Sequence, residues 1–177
     1  YTPSDFPYCG LSQEALDRVV MKFGVKDRKM IQDIYPLTPM QHGMLFHTLL
    51  SPDSPIYYEQ AQIRLRGGLE PELLRRAWQH GLMEQPVLRT GFVMDADPVV
   101  QVVLSRCELP FMIHDYSGLE MEVAEERLKA LCEQRKKEGF TLSQPPLLRI
   151  DLVKKEDMNW WLVIGFHHAL MDGWSLP

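Results

Sequence analysis

Cysteine is scarce in this chain of 177 residues: Cys9, Cys107 and Cys132 are scattered, odd in number and lack Cys-x-x-Cys spacing. That argues against a disulfide frame or a zinc site and points to reduced thiols in a cytoplasmic protein. Positive charge is also in the minority, with a formal net charge of −5 and no dense basic cluster. Nucleic acid is therefore a poor candidate partner; "RKKE" at 135–138 reads as the solvated end of a helix. No apolar stretch approaches the roughly 18 residues of a membrane span. There is no secretory signal pattern, no internal repeat and no low-complexity segment. The GxSxG of serine hydrolases is missing, and no serine or cysteine stands in a comparable setting. What remains is ordinary globular material, 45% hydrophobic and 24% charged, enough for one domain with a core of its own. The sequence starts without Met and stops just after "DGWSLP", so both ends read as cut.

The first ten residues, "YTPSDFPYCG", read as an extended linker. A helix is expected from Ser12, with Leu16, Val19, Val20 and Phe23 on one face and Gly24 as its stop. In "YPLTPMQHGMLFHTLL", Thr38 suits an N-cap, Pro39 the first helical position and Gln41 the third, a capping box that opens a helix over 39–50. "EQAQIRLR" (59–66) alternates as a half-buried strand does, with Ala61, Ile63 and Leu65 on one face. A helix from about Pro71 should turn Leu73, Leu74, Ala77 and Trp78 inward. "VLRTGFV" (87–93) and "VVQVVL" (99–104) read as strands joined by "MDADP", and "FMIHDY" as a further strand. The longest helix spans 119–138, with Met121, Ala124, Leu128 and Leu131 at helical spacing. "LLRIDLV" (147–153) and "WWLVIGF" (160–166) read as strands across the polar connection "KKEDMN". Helices and strands are interspersed, so the class is α/β or α+β.

The closing stretch "WWLVIGFHHALMDGWS" is the unusual one. A mostly apolar strand ends in two histidines, and four residues later comes Asp172-Gly173. Strand alternation turns His167 and His168 to opposite sides, so they should not act as a unit. Gly173 permits a sharp turn, and Ser175 suits the cap of a following helix. Three readings compete: a pair of core or rim histidines, a metal site of two histidines and a carboxylate, and a general base on a rigid strand tip with a carboxylate locking the loop. Opposed side chains weigh against the metal. His42, His47, His80 and His114 carry no comparable signal, and Met40, Met44 and Leu45 read as core.

"HHALMDG" matches the HHxxxDG signature of the condensation domains of non-ribosomal peptide synthetases, in the chloramphenicol-acetyltransferase-like superfamily. "YPLTPMQHGMLFH" (35–47) resembles that family's opening motif. "VLRTGF" (87–92) resembles its second, with Pro86 as a departure. "FTLSQPPLLRIDL" (140–152) is similar to the lead-in to the catalytic strand. "TPSDFPYCGLSQEALDRV" resembles the connector from an upstream peptidyl-carrier domain. "DGWS" fits condensation better than the related epimerisation domains.

The resemblance implies a linker plus helix over 1–30 and the N-terminal lobe of a two-lobed domain over 31–177, a mixed sheet with helices packed on it, with the C-terminal lobe absent. It implies peptide-bond formation in antibiotic biosynthesis. A donor aminoacyl or peptidyl thioester and an acceptor aminoacyl thioester would arrive on phosphopantetheine arms of upstream and downstream carrier domains, beside an adjoining adenylation domain. His168 would be the residue beside the acceptor amine and His167 structural. Asp172 would pair with Arg89, with Arg149 the other arginine within reach of such a role. No metal or bound cofactor is implied, and the lobe alone is expected to be inactive. The alternatives are an epimerisation domain, a CoA-dependent acyltransferase and a degenerate domain that only recruits partners.

Overall fold

The computed structural model describes residues 1–23, 30–51, 55–156 and 158–171. Among them four helices, α1 (Gln13–Lys22), α2 (Pro39–Leu50), α3 (Pro71–Glu84) and α4 (Met121–Glu138), accompany strands β1 (Ile31–Pro36), β2 (Tyr58–Arg66), β3 (Thr90–Val93), β4 (Val100–Leu104), β5 (Phe111–Asp115), β6 (Leu148–Glu156) and β7 (Asn159–His167). The fold is α+β. One sheet runs β1-β4-β3 and the other β2-β7-β6-β5. All pairs are antiparallel except β5 and β6. Parallel neighbours need a long crossover, and α4 supplies it.

β7 is central in the larger sheet, and both of its faces are covered. Leu162, Phe166 and Trp160 pack with Leu82 and the partly buried Leu74 and Trp78 of α3. Val163 packs with Leu128, Leu131 and Cys132 of α4. Burial on both sides is why the strand reads as a continuous apolar run rather than an alternating one. Gly165 belongs to this run for a steric reason: a Cβ there would lie 2.1 Å from the Tyr58 hydroxyl and 2.8 Å from its Cζ. The Tyr58 ring stacks on Phe140 at 5.5 Å, and the Arg149 guanidinium lies 4.4 Å from the Phe140 ring centre.

Several expectations are corrected. The first ten residues are not an extended linker. Pro3–Asp5 forms a 3-10 turn, and Phe6, Cys9 and Leu11 join Leu16 and Val19 in a core with Ile31, Ile34, Val93, Val100 and Val102. The Tyr1 hydroxyl accepts from Ile31 N–H at 3.0 Å, tying this segment to β1. Aromatic and aliphatic residues between prolines found a sheet face to cover, and tertiary burial outweighed the turn-rich composition. The 87–93 segment is a strand only from Thr90, since Pro86 starts a 3-10 turn running through Arg89. β1 was not anticipated; its two fully inward residues, Ile31 and Ile34, are three apart because the pairing shifts at a bulge between Ile31 and Asp33. Leu73, Ala77, Met40 and Met121 face solvent. Each lies at helical spacing, but its helix turns a narrower face to the sheet than the apolar pattern suggests.

α2 opens on the expected box, with Gln41 N–H donating to Thr38 Oγ1 at 3.2 Å and Thr38 N–H donating to Gln41 Oε1 at 2.9 Å. Gly24, expected to stop α1, lies outside the described residues.

Candidate active site

β7 delivers the histidine pair to one end of the larger sheet, and backbone bonds carry it past the strand's end. His167 N–H donates to Leu147 O at 3.0 Å, and His168 N–H to Tyr57 O at 2.8 Å. The chain then turns, with Leu170 N–H on His167 O at 3.0 Å and Met171 N–H on His168 O at 3.2 Å. Neighbouring strands and a tight turn therefore hold both histidines by their backbone.

The rings differ in surroundings and in tautomer. Ala169 N–H lies 3.1 Å from Nδ1 of His167. An amide can only donate, so this Nδ1 accepts and the ring proton of neutral His167 sits on Nε2. His167 is buried, and burial together with the neighbouring His168 pulls its pKa down to about 4. It is neutral at physiological pH. Nδ1 of His168 lies 2.7 Å from Met171 O. A carbonyl can only accept, so Nδ1 carries the proton and Nε2 keeps its lone pair. His168 is half-buried, and its Nε2 is the nitrogen prepared to accept a proton.

The turn after His168 is also held by Gln41, which Gln101 braces in turn, and neither part was evident from the sequence. Gln41 Nε2 donates to Ala169 O at 3.2 Å and to Gln101 Oε1 at 3.3 Å. Gln101 Nε2 donates to Gln41 Oε1 at 3.2 Å and to Pro36 O at 3.0 Å. With the Thr38 bond, every donor and acceptor of the Gln41 amide has a partner. A signal was present in "VVQVVL", where one amide in an apolar strand must find partners once buried.

Arg89 is buried. Its Nε donates to Leu82 O at 3.2 Å, and its Nη1 to Gln32 Oε1 at 2.8 Å and to Leu104 O. Every one of these acceptors, among the described residues, is neutral. Arg149 is committed elsewhere, to Glu138 at 2.8 Å and to Gly139 O. Asp172, Gly173 and Ser175 lie outside the described residues. His42, His47 and His80 are exposed. His114, which carried no signal, joins a buried network instead: its Nε2 lies 2.8 Å from Asp151 Oδ1, and Arg135 grips the same carboxylate at 2.8 and 2.7 Å. Burial alone would raise the Asp151 pKa, but the cationic and hydrogen-bonding partners outweigh it and hold it below the usual carboxylate value.

This two-sheet α+β fold is recognisable among solved structures. The fold matches the starter condensation domain of rhizomide synthetase with a TM-score of 0.71 at 23% identity, over 80% of this chain and 35% of that one. A four-domain nonribosomal peptide synthetase bound to AMP and glycine matches with a TM-score of 0.71 at 21% identity, over 85% of this chain and 11% of that one. In sequence, the chain is 35% identical over 179 residues to a linear gramicidin synthase component of Brevibacillus parabrevis, covering 100% of this chain and 3% of that protein. It is 31% identical over 177 residues to bacitracin synthase 1 of Bacillus licheniformis, covering 99% of this chain and 3% of that protein. The chain thus spans only a few per cent of the length of these curated relatives. The condensation-domain family model matches residues 31–177, and the chain belongs to that family.

Proposed function

We propose that this chain is the N-terminal lobe of a domain that forms peptide bonds between two carrier-bound thioesters. The acceptor α-amine attacks the donor carbonyl, the amide forms, and the donor carrier's phosphopantetheine thiol leaves. The observation that carries this reading is the tautomer of His168. Its Nδ1 proton is given to Met171 O, so Nε2 keeps its lone pair and is the nitrogen that would accept the ammonium or amine proton. The strand ladder and the Gln41 bond hold the loop around it, which supports positioning as much as proton transfer. The chain covers about a third of the matched rhizomide synthetase domain, so activity is assigned to the longer protein that carries this lobe.

Asp172 is proposed as the carboxylate that neutralises Arg89. In support, the guanidinium is buried, its partners among the described residues are neutral oxygens, and the competing Arg149 already has Glu138. A buried cation of this kind calls for an anion.

The test is His168→Ala in the full-length synthetase module with both carriers loaded. Dipeptide formation should fall by roughly a hundredfold or more, the usual range for a positioned acid–base group, with the melting temperature unchanged. Near-normal dipeptide yield would overturn the reading. Loss of Cα-proton exchange without loss of amide formation would assign the lobe to epimerisation instead.

A further inference from the structure

Gln101 stands on β4, the middle strand of the smaller sheet, between Tyr35 of β1 and Phe92 of β3. It is 5% exposed in a strand whose other members are aliphatic, and its side chain leaves the sheet to meet Gln41 of α2. The two amides bond reciprocally, Gln41 Nε2–H to Gln101 Oε1 at 3.3 Å and Gln101 Nε2–H to Gln41 Oε1 at 3.2 Å. Their outer partners admit one orientation of the pair. Ala169 O and Pro36 O can only accept, and Thr38 N–H can only donate. Half a rotation of either amide would set its oxygen against a carbonyl. A buried amide network with every N–H bonded is rigid.

What the pair grips is the turn that carries His168. Met171 N–H bonds to His168 O, so the Ala169–Leu170 peptide is the middle of that turn. This peptide is held at both ends, Leu170 N–H by His167 O at 3.0 Å and Ala169 O by Gln41 at 3.2 Å. Beyond it lies Met171 O, the acceptor that keeps the proton on Nδ1 of His168 and the lone pair on Nε2. Release of the Ala169 carbonyl frees the middle peptide to tilt, and the Met171 carbonyl moves with it.

We propose that Gln101 is a positioning residue for the reaction, acting through Gln41. The middle strand of the smaller sheet fixes the Gln41 amide, Gln41 fixes the Ala169 carbonyl, and the turn fixes both the place and the tautomer of the His168 ring. A supporting side chain can govern a reacting group in this way, since a misplacement of about 1 Å costs up to about a hundredfold in rate. The effect on turnover rests on the reading of His168 given above, whereas the effect on its tautomer does not.

The experiment uses the full-length domain, with both carriers loaded for the kinetics. Gln101→Met keeps the length and burial of the side chain but has no amide. It should lower kcat roughly tenfold with KM unchanged, as a small misplacement of the reacting group does. Selective ¹⁵N-histidine labelling should show His168 passing from Nδ1–H alone to a mixture with Nε2–H. Adding Gln41→Met to Gln101→Met should lower kcat no further than the worse single variant, because the two amides act as one unit. Unchanged kcat or an unchanged His168 tautomer in folded Gln101→Met overturns the role, and multiplied losses in the double variant overturn the relay. Gln41→Glu is a further variant: its carboxylate keeps an acceptor for Thr38 N–H, and so the helix cap, but has no N–H for Ala169 O. The same loss of kcat is expected, and native turnover here overturns the proposal even where Gln101→Met does not fold. Full turnover by His168→Ala in the same assay would place the failure in the base assignment, and the tautomer alone then decides the role of Gln101.

Discussion

His167 titrates well below a free imidazole because its protonated form would be buried beside His168 with Nδ1 already pressed against an amide N–H. The unfolded chain binds a proton near pH 6.5, whereas the folded chain waits until about 4. Protons therefore favour the unfolded state, and the stability contribution present above pH 6.5 is lost as pH falls toward 4. The difference corresponds to about 3 kcal/mol. Unfolding free energy, measured by denaturant titration, should drop more steeply between pH 6.5 and 4 in the native protein than in His167→Asn. Parallel pH profiles would contradict this assignment. Two residues earlier, Gly165 meets the Tyr58 ring too closely for any side chain. Gly165→Ala must push back an aromatic ring already stacked on Phe140, at about 1–3 kcal/mol, the usual cost of overpacking. A lowered melting temperature is expected, with partial recovery when Tyr58→Leu is added.

At the scale of elements, α4 is joined to the larger sheet by more than apolar contact. Arg135 on α4 holds both oxygens of Asp151 on β6, while His114 reaches the same carboxylate from the parallel neighbour β5. Asp151 is 1% exposed. Arg135→Ala leaves it with its histidine partner alone and should cost about 3–5 kcal/mol, the range for a buried pair broken from one side. Combining Arg135→Met with Asp151→Leu should recover most of that loss, because no charge is then stranded. Denaturation midpoints of the single and double variants check both expectations. α2 makes its connection through Gln41, which caps its own helix and holds Ala169 O in the turn after His168. A helix start and the histidine-bearing turn are thereby fixed by one amide.

For the whole molecule, the N-terminal segment is structural. Phe6, Leu11, Leu16 and Val19 are buried against the smaller sheet, each contributing about 1.5–3 kcal/mol. Deleting residues 1–23 should expose that sheet face and give aggregated protein or loss of cooperative melting, judged by size-exclusion chromatography and calorimetry. An unchanged melting temperature would show the segment to be an appendage. No helix among the described residues is long and apolar enough to cross a membrane.

The strand ending in His167-His168, the capped start of α2 and the span of α4 were legible in the sequence, because each depends on residues adjacent in the chain: an apolar run, a Thr-Pro-x-Gln cap and helical periodicity. The position of His168 at a strand tip followed from the same local pattern. The tautomers of the two histidines did not, since they depend on which backbone groups the turn brings to each Nδ1. Nor did the second task of Gln41, whose partner Ala169 is 128 positions away. The burial of Phe6 and the coupling of His114 to Arg135 through Asp151 likewise required the assembled sheets. Local chemistry set the elements and marked the histidine pair. Long-range packing alone decided which polar groups meet, because a buried donor or acceptor must take the partner that the fold places within reach.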